Sequence, residues 1–133
     1  MKVSDLMHTD VHAVRPDDTL ADVVEALADA HITGVPVVDR HGKILGVVST
    51  TDVLEAQAEG LIRGGAAWED QIVEDVMTRP ALTISGDADV REAAQRMLYG
   101  EVHRLFVERD GVLAGVISQT DIVRAFAAHR LPG

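Results

Sequence analysis

Apolar side chains recur three and four positions apart in two stretches of the chain, and each stretch leads into short apolar runs. The first spacing is typical of a helix with one buried face, and the short runs are typical of strands. The pattern therefore predicts helices and strands in alternation, twice over. The helical positions are Leu20, Val23, Val24 and Leu27 in the first stretch and Val90, Ala93, Ala94 and Met97 in the second.

Each helical stretch begins with a capping signal. Thr19 is followed three residues later by Asp22, and Asp89 is followed by Glu92. In a capping box the first side chain accepts a hydrogen bond from a backbone N–H of the first turn, and the acid reaches back to the N–H of the cap. We therefore expect helices that begin just after Thr19 and Asp89.

A hairpin follows each helix. Turns at 39–42 and 110–111 contain Asp and Gly, which favour tight reversal of the chain. A further short strand precedes each helix, and a second helix, beginning near Thr51 or Thr120, follows each hairpin. The predicted strands are 11–14, 35–38 and 44–48 in the first half and 81–84, 105–107 and 112–117 in the second.

The two halves are copies of one β-α-β-β-α unit. Residues 3–7 return as residues 73–77, a shift of 70 (77 − 7), and after one residue is lost in the second turn the shift becomes 69 (121 − 52). Self-similarity at a fixed shift is the signature of a repeat architecture. Two tandem repeats are therefore predicted, at residues 1–58 and 71–130, with a linker at 59–70.

The linker carries its own signals. Gly60, Gly64 and Gly65 indicate a break between helices, and Trp68 is expected to anchor the linker on a packed surface. A single repeat of about 50 residues would bury little apolar surface. We therefore expect an α+β (α/β) fold in which the sheets of the two repeats pack face to face about a pseudo-two-fold axis.

Charge and composition narrow the classes of partner. The chain has 22 acidic and 12 basic residues, a net charge of −10 that repels phosphate backbones, and it contains no cysteine for disulfides or thiolate metal sites. Its first residues lack the apolar core of a secretion signal, and no apolar run approaches the roughly 18 residues that cross a membrane. We expect a cytoplasmic protein with no nucleic-acid or membrane partner.

The strongest candidate for chemistry is a motif that occurs once in each repeat. Residues 46–52 read Gly-Val-Val-Ser-Thr-Thr-Asp, and residues 115–121 read Gly-Val-Ile-Ser-Gln-Thr-Asp. A serine between a strand and a helix can cap the helix and leave backbone N–H groups for an anion. A carboxylate beside that helix end can accept two hydrogen bonds from the adjacent hydroxyls of a ribose, as in dinucleotide-binding folds.

Helix capping alone is the competing interpretation of the motif. Ser-x-x-Asp is itself a capping-box pattern, in which the acid only reaches back to the N–H of the cap. Two matched copies at the same place in a repeat favour a ligand site, although the carboxylates of Asp52 and Asp121 can serve both purposes.

These residues resemble the cystathionine-β-synthase-type (CBS) domain pair, or Bateman module, over nearly the whole chain. The resemblance rests on Met7 and Met77, on Val35-Pro36-Val37-Val38-Asp39, and on the two motifs that end in Asp52 and Asp121. It implies a β-α-β-β-α fold in each repeat and binding of AMP, ADP, ATP, S-adenosylmethionine or a related adenosyl ligand, with AMP favoured. It also implies a homodimer and regulation of a separate protein.

The resemblance extends to residues 101–105, which are similar to a segment of the gamma subunit of AMP-activated protein kinase. That similarity implies that His103 and Arg104 contact phosphate at the site of Asp52. The first repeat has Thr33-Gly34 at this place, so the Asp121 site is expected to be weaker or to take a less charged ligand. Many family members have Arg or Lys where this chain has Thr51 and Thr120, a departure that weighs against triphosphates.

The predicted ligand-binding residues share a position at or near the two motifs. They are Val35, Ser49, Thr51, Asp52, Thr83, His103, Arg104, Ser118, Thr120 and Asp121.

Other functions have weaker support. His8 and His12 are four apart but fall where a loop runs into a strand, which does not favour a metal pair. No nucleophile elbow, phosphate-binding loop or zinc signature points to an enzyme. We therefore predict a regulatory module that senses adenosyl ligands without catalysis or a required cofactor, with a structural homodimerisation module carrying vestigial sites as the alternative.

Overall fold

The computed structural model describes residues 1–62 and 67–129, which form helices and two small sheets, as the predicted α+β class requires. In chain order, the elements are α1 (Val3–Leu6), α2 (Leu20–Ala30), β1 (Gly34–Val38), β2 (Ile44–Ser49), α3 (Thr50–Ile62), a 3-10 turn (Trp68–Asp70), α4 (Val73–Val76), β3 (Thr83–Ser85), α5 (Val90–Gly100), β4 (Arg104–Arg109), β5 (Val112–Ser118) and α6 (Gln119–His129). In the described ranges, no helix combines the length and apolar character needed to cross a membrane.

The chain divides into two compact units. Unit 1 combines Met1–Val11 with the chain from Leu82 onward, and unit 2 is His12–Ala81. Each unit has its own apolar core. The cores include Ile84, Met97, Leu105 and Ile117 in unit 1 and Leu20, Val23, Val37 and Val48 in unit 2.

Both hairpins form as the turn signals predict. Strands β1 and β2 pair antiparallel with Val35 opposite Val48, and β4 and β5 pair antiparallel with Leu105 opposite Ile117. Gly42 (φ 82°) and Gly111 (φ 80°) lie in the turns at positive φ, a region that glycine enters without steric cost. Each second helix begins one residue earlier than expected, at Thr50 and at Gln119.

The predicted first strand forms fully in only one unit. In unit 1, β3 runs parallel to β4, and the Phe106 N–H donates to the Leu82 carbonyl. In unit 2, residues 11–14 form only an isolated bridge between Val14 and Val37, so the strand prediction there was wrong. The position equivalent to Phe106 is Pro36, whose nitrogen has no hydrogen to donate, and the ladder is shortened accordingly.

The predicted capping boxes differ between the two units. At the start of α2, Thr19 accepts from the Asp22 N–H and Asp22 accepts from the Thr19 N–H, which confirms the box. At the start of α5, Asp89 caps the Arg91 N–H at 2.8 Å, but Glu92 instead accepts from Arg96 one turn along. The expected reach-back by Glu92 was therefore wrong, because an i,i+4 guanidinium is its partner.

The residues that open each repeat lie in a different unit from the rest of that repeat. We call residues 1–11 and 71–81 the leading segments. Val3, in the first, is buried in the core of unit 1, and Val73, in the second, is buried in the core of unit 2. The sequence repeats and the compact units therefore have different boundaries, because each leading segment packs with the other repeat.

The linker agrees with the sequence analysis in part. Trp68 is half-buried and packs against the core of unit 2, as expected of an anchor. Helix α3 continues through Gly60, so the predicted break at that residue was wrong. Gly64 and Gly65 lie outside the described residues.

Candidate functional site

In unit 2, Ser49 and Asp52 join the end of β2 to the start of α3. The Ser49 N–H donates to Asp52 Oδ2 at 2.8 Å, the Ser49 hydroxyl donates to the same oxygen at 3.1 Å, and the Asp52 N–H donates to Ser49 Oγ at 3.2 Å. This reciprocal pattern is a capping box, which confirms the capping interpretation. It uses one of the two oxygens of the carboxylate.

The other oxygen of Asp52 meets the second leading segment. The Thr78 hydroxyl donates to Asp52 Oδ1 at 3.1 Å. Thr78 is held in place by its backbone, whose N–H and carbonyl pair with the carbonyl and N–H of Val47 at 2.8 and 3.0 Å. The carboxylate is therefore bonded on one side to its own helix start and on the other to an exposed hydroxyl.

Unit 1 repeats this geometry with a different partner. The Ser118 N–H donates to Asp121 Oδ2 at 2.8 Å, and the Asp121 N–H donates to Ser118 Oγ at 3.2 Å. Asp121 Oδ1 accepts from His8 Nε2 at 2.7 Å. A carboxylate oxygen only accepts, so Nε2 carries the hydrogen. The His8 side chain is 61% exposed and that of Asp121 only 9%.

The glycine of each motif makes this arrangement possible. A Cβ on Gly46 would stand 2.5 Å from the Thr78 carbonyl oxygen, and a Cβ on Gly115 would stand 2.5 Å from the His8 carbonyl oxygen. Any larger residue would push the leading segment away from the strand. Gly46 therefore allows Thr78 to reach Asp52, and Gly115 allows His8 to reach Asp121.

Thr78 and His8 are the residues that sequence reasoning missed as site members. The signal was present in the repeat, because the shift of 70 aligns His8 with Thr78, each directly after an aligned methionine. Local periodicity does not indicate which strand a leading segment pairs with, so the contacts of Thr78 and His8 with the carboxylates could not be predicted from that alignment.

His103 and Arg104 lie beside the motif of unit 1. Arg104, at the start of β4, is the cross-strand partner of Ser118. His103 is exposed, and its Nδ1–H donates to Gln119 Oε1 at 3.4 Å, while the Gln119 N–H donates to the His103 carbonyl at 2.9 Å. The contact of this pair with a ligand at Asp52 stays a prediction from the family resemblance.

The remaining predicted residues occupy different surroundings. Thr51 and Thr120 are exposed on the first turns of α3 and α6. Val35 is fully buried in the core of unit 2, one position from the Gly34 that pairs with Ser49.

Thr83 lines an open groove of about 880 Å³ in unit 1, and its carbonyl accepts from Arg96 Nη1 at 3.0 Å. The groove walls include Leu82, Leu98, Tyr99 and Leu105. Among the described residues, Ser118 and Asp121 do not line this groove, so the groove does not bring Thr83 together with them.

Sequence comparison identifies the repeats. The CBS domain matches residues 3–59 and 73–128. Inosine-5′-monophosphate dehydrogenase of Methanocaldococcus jannaschii is 31% identical over 126 residues, which are 92% of this chain and 23% of the enzyme. The chloroplastic CBS domain-containing protein CBSX1 of Arabidopsis thaliana is 29% identical over 142 residues, 87% of this chain and 59% of that protein. The chain thus spans less than two thirds of either relative.

Solved structures agree with the fold. CBSX2 of Arabidopsis thaliana in complex with AMP is 30% identical, with a TM-score of 0.82 that covers 97% of this chain and 98% of that one. The CBS domain pair of protein MJ0100, solved with 5′-methylthioadenosine and S-adenosyl-L-methionine, shares the fold at 24% identity and a TM-score of 0.78, covering 95% and 99% of the two chains. The chain therefore belongs to the CBS domain family, and its two sequence repeats are two CBS domains.

Proposed function

We propose that this chain is a regulatory module that binds adenosyl ligands through the carboxylates of Asp52 and Asp121. The observation that carries the proposal is that the two oxygens of each carboxylate have different partners. Oδ2 caps the helix, whereas Oδ1 is turned to an exposed side chain of a leading segment, Thr78 or His8. A cap alone needs only the first oxygen.

The pair formed by Oδ1 and its exposed partner suits the sugar of a nucleoside. Adjacent ribose hydroxyls each donate one hydrogen bond and accept another, and a carboxylate beside a hydroxyl or an imidazole offers both roles. Ser49 and Ser118 hold this arrangement at a helix start, where the positive end of the helix dipole also favours an anionic group of the ligand.

The relatives support the same class of ligand. CBSX2 was solved with AMP, and the MJ0100 domain pair with two adenosyl compounds. The dehydrogenase match covers 23% of that enzyme, so the relationship supports a binding module and not the enzyme's reaction. We accordingly propose AMP or a related adenosyl compound as the ligand, and a separate cytoplasmic protein as the target of regulation.

Thermal denaturation with AMP, ADP, ATP and S-adenosylmethionine tests the proposal. A ligand at 100 times its dissociation constant adds about 2.7 kcal/mol to the free energy of unfolding. For a chain of this size we expect the melting temperature to rise by several degrees, and we expect Asp52→Ala together with Asp121→Ala to remove that rise.

Asp22→Ala is the matched control, since Asp22 closes a capping box of the same kind on α2 but belongs to neither motif. It should lower the melting temperature of the free protein while leaving the ligand-induced rise intact. If no adenosyl compound raises the melting temperature, the structural alternative holds. If the Asp52→Ala, Asp121→Ala double variant responds like wild type, the carboxylates only cap their helices and the ligand binds elsewhere.

We further propose that a second copy of the chain covers helices α3 and α6. Leu54 on α3 and Val123 on α6 occupy equivalent positions, and the two residues are 63% and 64% exposed. Apolar side chains exposed at matching places in both repeats fit an isologous interface. Light scattering after gel filtration should give a dimer for wild type and a monomer for Leu54→Glu with Val123→Glu; a wild-type monomer would refute this proposal.

A further inference from the structure

Along the helix that follows each motif, the two carboxylates have neighbours of opposite charge. One turn beyond Asp52, α3 presents Glu55, whereas one turn beyond Asp121, α6 presents Arg124 at the equivalent position. Both side chains are exposed, and residues three apart share one face of a helix. The charge beside the motif is therefore negative in unit 2 and positive in unit 1.

The charge at two further positions, on the strand opposite the motif serine and on the leading segment, is also more positive in unit 1 than in unit 2. Opposite Ser118 in unit 1 lies Arg104, whereas opposite Ser49 in unit 2 lies Gly34. The partner of Asp121 Oδ1 is an imidazole, which can carry a positive charge, whereas the partner of Asp52 Oδ1 is the Thr78 hydroxyl, which cannot. Arg124, Arg104 and His8 thus place basic groups around Asp121, whereas the matching positions around Asp52 carry none. Arg79, which follows Thr78 in unit 2, is paired with Glu74 at 3.8 Å.

We infer that unit 1 holds the site for a phosphorylated adenosyl ligand and that unit 2 prefers an uncharged one. The inference rests on the proposed function, because Asp52 and Asp121 bind the sugar in both cases. In unit 1, Arg124 offers a planar fork of donors that matches phosphate oxygens, and His8 offers a further donor. In unit 2, Glu55 repels a phosphate group.

This assignment of the phosphorylated ligand to the Asp121 site is the reverse of the one implied by the resemblance of His103 and Arg104 to the kinase subunit, which places the phosphate at the Asp52 site. The two assignments make opposite predictions for the same pair of single-site proteins. Asp52→Ala leaves only the site of unit 1, and Asp121→Ala leaves only the site of unit 2.

Calorimetric titration of these two proteins with AMP and with adenosine separates the phosphate contribution, because the probes share base and sugar. We expect Asp52→Ala to bind AMP about tenfold more tightly than adenosine, the effect of one or two unit charges near a surface site. We expect Asp121→Ala to bind adenosine at least as tightly as AMP.

Substitutions then locate the charge. In the Asp52→Ala protein, Arg124→Glu and His8→Thr should each reduce the preference for AMP. Arg124→Glu should leave adenosine binding within about twofold, since Arg124 has no part in holding the sugar. In the Asp121→Ala protein, Glu55→Arg should raise AMP affinity. Arg109→Glu is the matched control, since it makes the same charge change at the hairpin end of β4, at the far end of the β4–β5 pair from Ser118, and should leave the preference unchanged.

The outcomes distinguish the two proposals. Binding of both probes with a preference for AMP in unit 2, or a preference in unit 1 that Arg124→Glu and His8→Thr do not alter, overturns this inference and leaves the proposed function standing. Failure of wild type to bind either probe overturns this inference, and it overturns the proposed function too when ADP, ATP and S-adenosylmethionine leave the melting temperature unchanged. Circular dichroism verifies that each variant folds, and Asp→Asn substitutions replace Asp→Ala where it does not.

Discussion

The hydroxyl of Thr78 lies 3.1 Å from Oδ1 of Asp52, although the two residues are 26 positions apart in the chain. The same contact joins His8 to Asp121 across 113 positions. In both cases a residue in the leading segment of one repeat completes the polar group at the motif of the other. These contacts tie the candidate sites to the same backbone pairings that hold the leading segments in place.

Thr78→Val removes the hydroxyl donor and keeps the shape of the side chain. We expect the free energy of unfolding to fall by about 0.5–1.5 kcal/mol, since Asp52 Oδ1 loses one hydrogen bond. Thr9→Val, at an exposed residue of the other leading segment, should change it by less than about 0.5 kcal/mol. Urea denaturation measures both, and equal effects would show that the Thr78 hydrogen bond contributes nothing to stability.

Gly46→Ala and Gly115→Ala should each destabilise the protein by about 1–3 kcal/mol, the usual cost of forcing an atom into a packed place. The new Cβ would meet the Thr78 or His8 carbonyl oxygen at 2.5 Å, and backbone cannot swing aside as a side chain can. Gly34→Ala is the control, because its nearest neighbour would lie 3.5 Å away. The idea fails if all three variants melt at the same temperature.

Met97 and Leu98 are neighbours on α5 with opposite surroundings. Met97 is 0% exposed in the core of unit 1, and Leu98 is 73% exposed. We expect Met97→Ala to cost about 2–5 kcal/mol, because it leaves a cavity, and Leu98→Ala to cost less than about 0.5 kcal/mol. Chemical denaturation at one protein concentration makes the comparison; a large loss from Leu98→Ala would indicate that a second copy covers this face.

Asp39 predicts a dependence of stability on pH. Burial acts to raise the pKa of this carboxyl, but hydrogen bonds from the Lys43 and His41 N–H groups, with the charges of those two side chains, outweigh burial and lower it. A lowered folded-state pKa stabilises the fold above the unfolded-state pKa of about 3.9, and this contribution is lost as pH falls through the folded-state value.

We therefore expect the melting temperature of wild type to fall on acidification below pH ~4, and Asp39→Asn to lose part of that dependence. Asp110→Asn, in the turn of the other hairpin, is the control for the loss of one charge. Identical pH profiles for wild type and Asp39→Asn would contradict the prediction.

Local pattern was sufficient for much of the fold. The spacing of Leu20, Val23 and Leu27 identifies the buried face of α2, and the turns at 39–42 and 110–111, which contain Asp and Gly, identify both hairpins, because these signals act between residues close in sequence. The errors have local causes that the pattern masked: Pro36 shortens a strand that its neighbours favour, and Arg96 draws Glu92 away from the helix start.

The site was predictable only in part. Ser49 with Asp52, and Ser118 with Asp121, are local pairs, and the structure joins them as the motif predicts. Thr78 and His8 reach them through strand pairings whose partners are set by packing of the whole unit. The charge contrast between Glu55 and Arg124 was visible in the repeat, but its meaning depended on knowing which positions surround each carboxylate.

The leading segments have a consequence for the ancestry of such a chain. A gene for one repeat would encode a polypeptide whose opening residues pair with the strand of another molecule, so two such molecules would have to exchange their first residues to complete their folds. Duplication and fusion of that gene would convert this exchange between two molecules into an exchange between two repeats of one chain. From then on the two halves could diverge at positions such as 8 and 78 and still fold only as a pair.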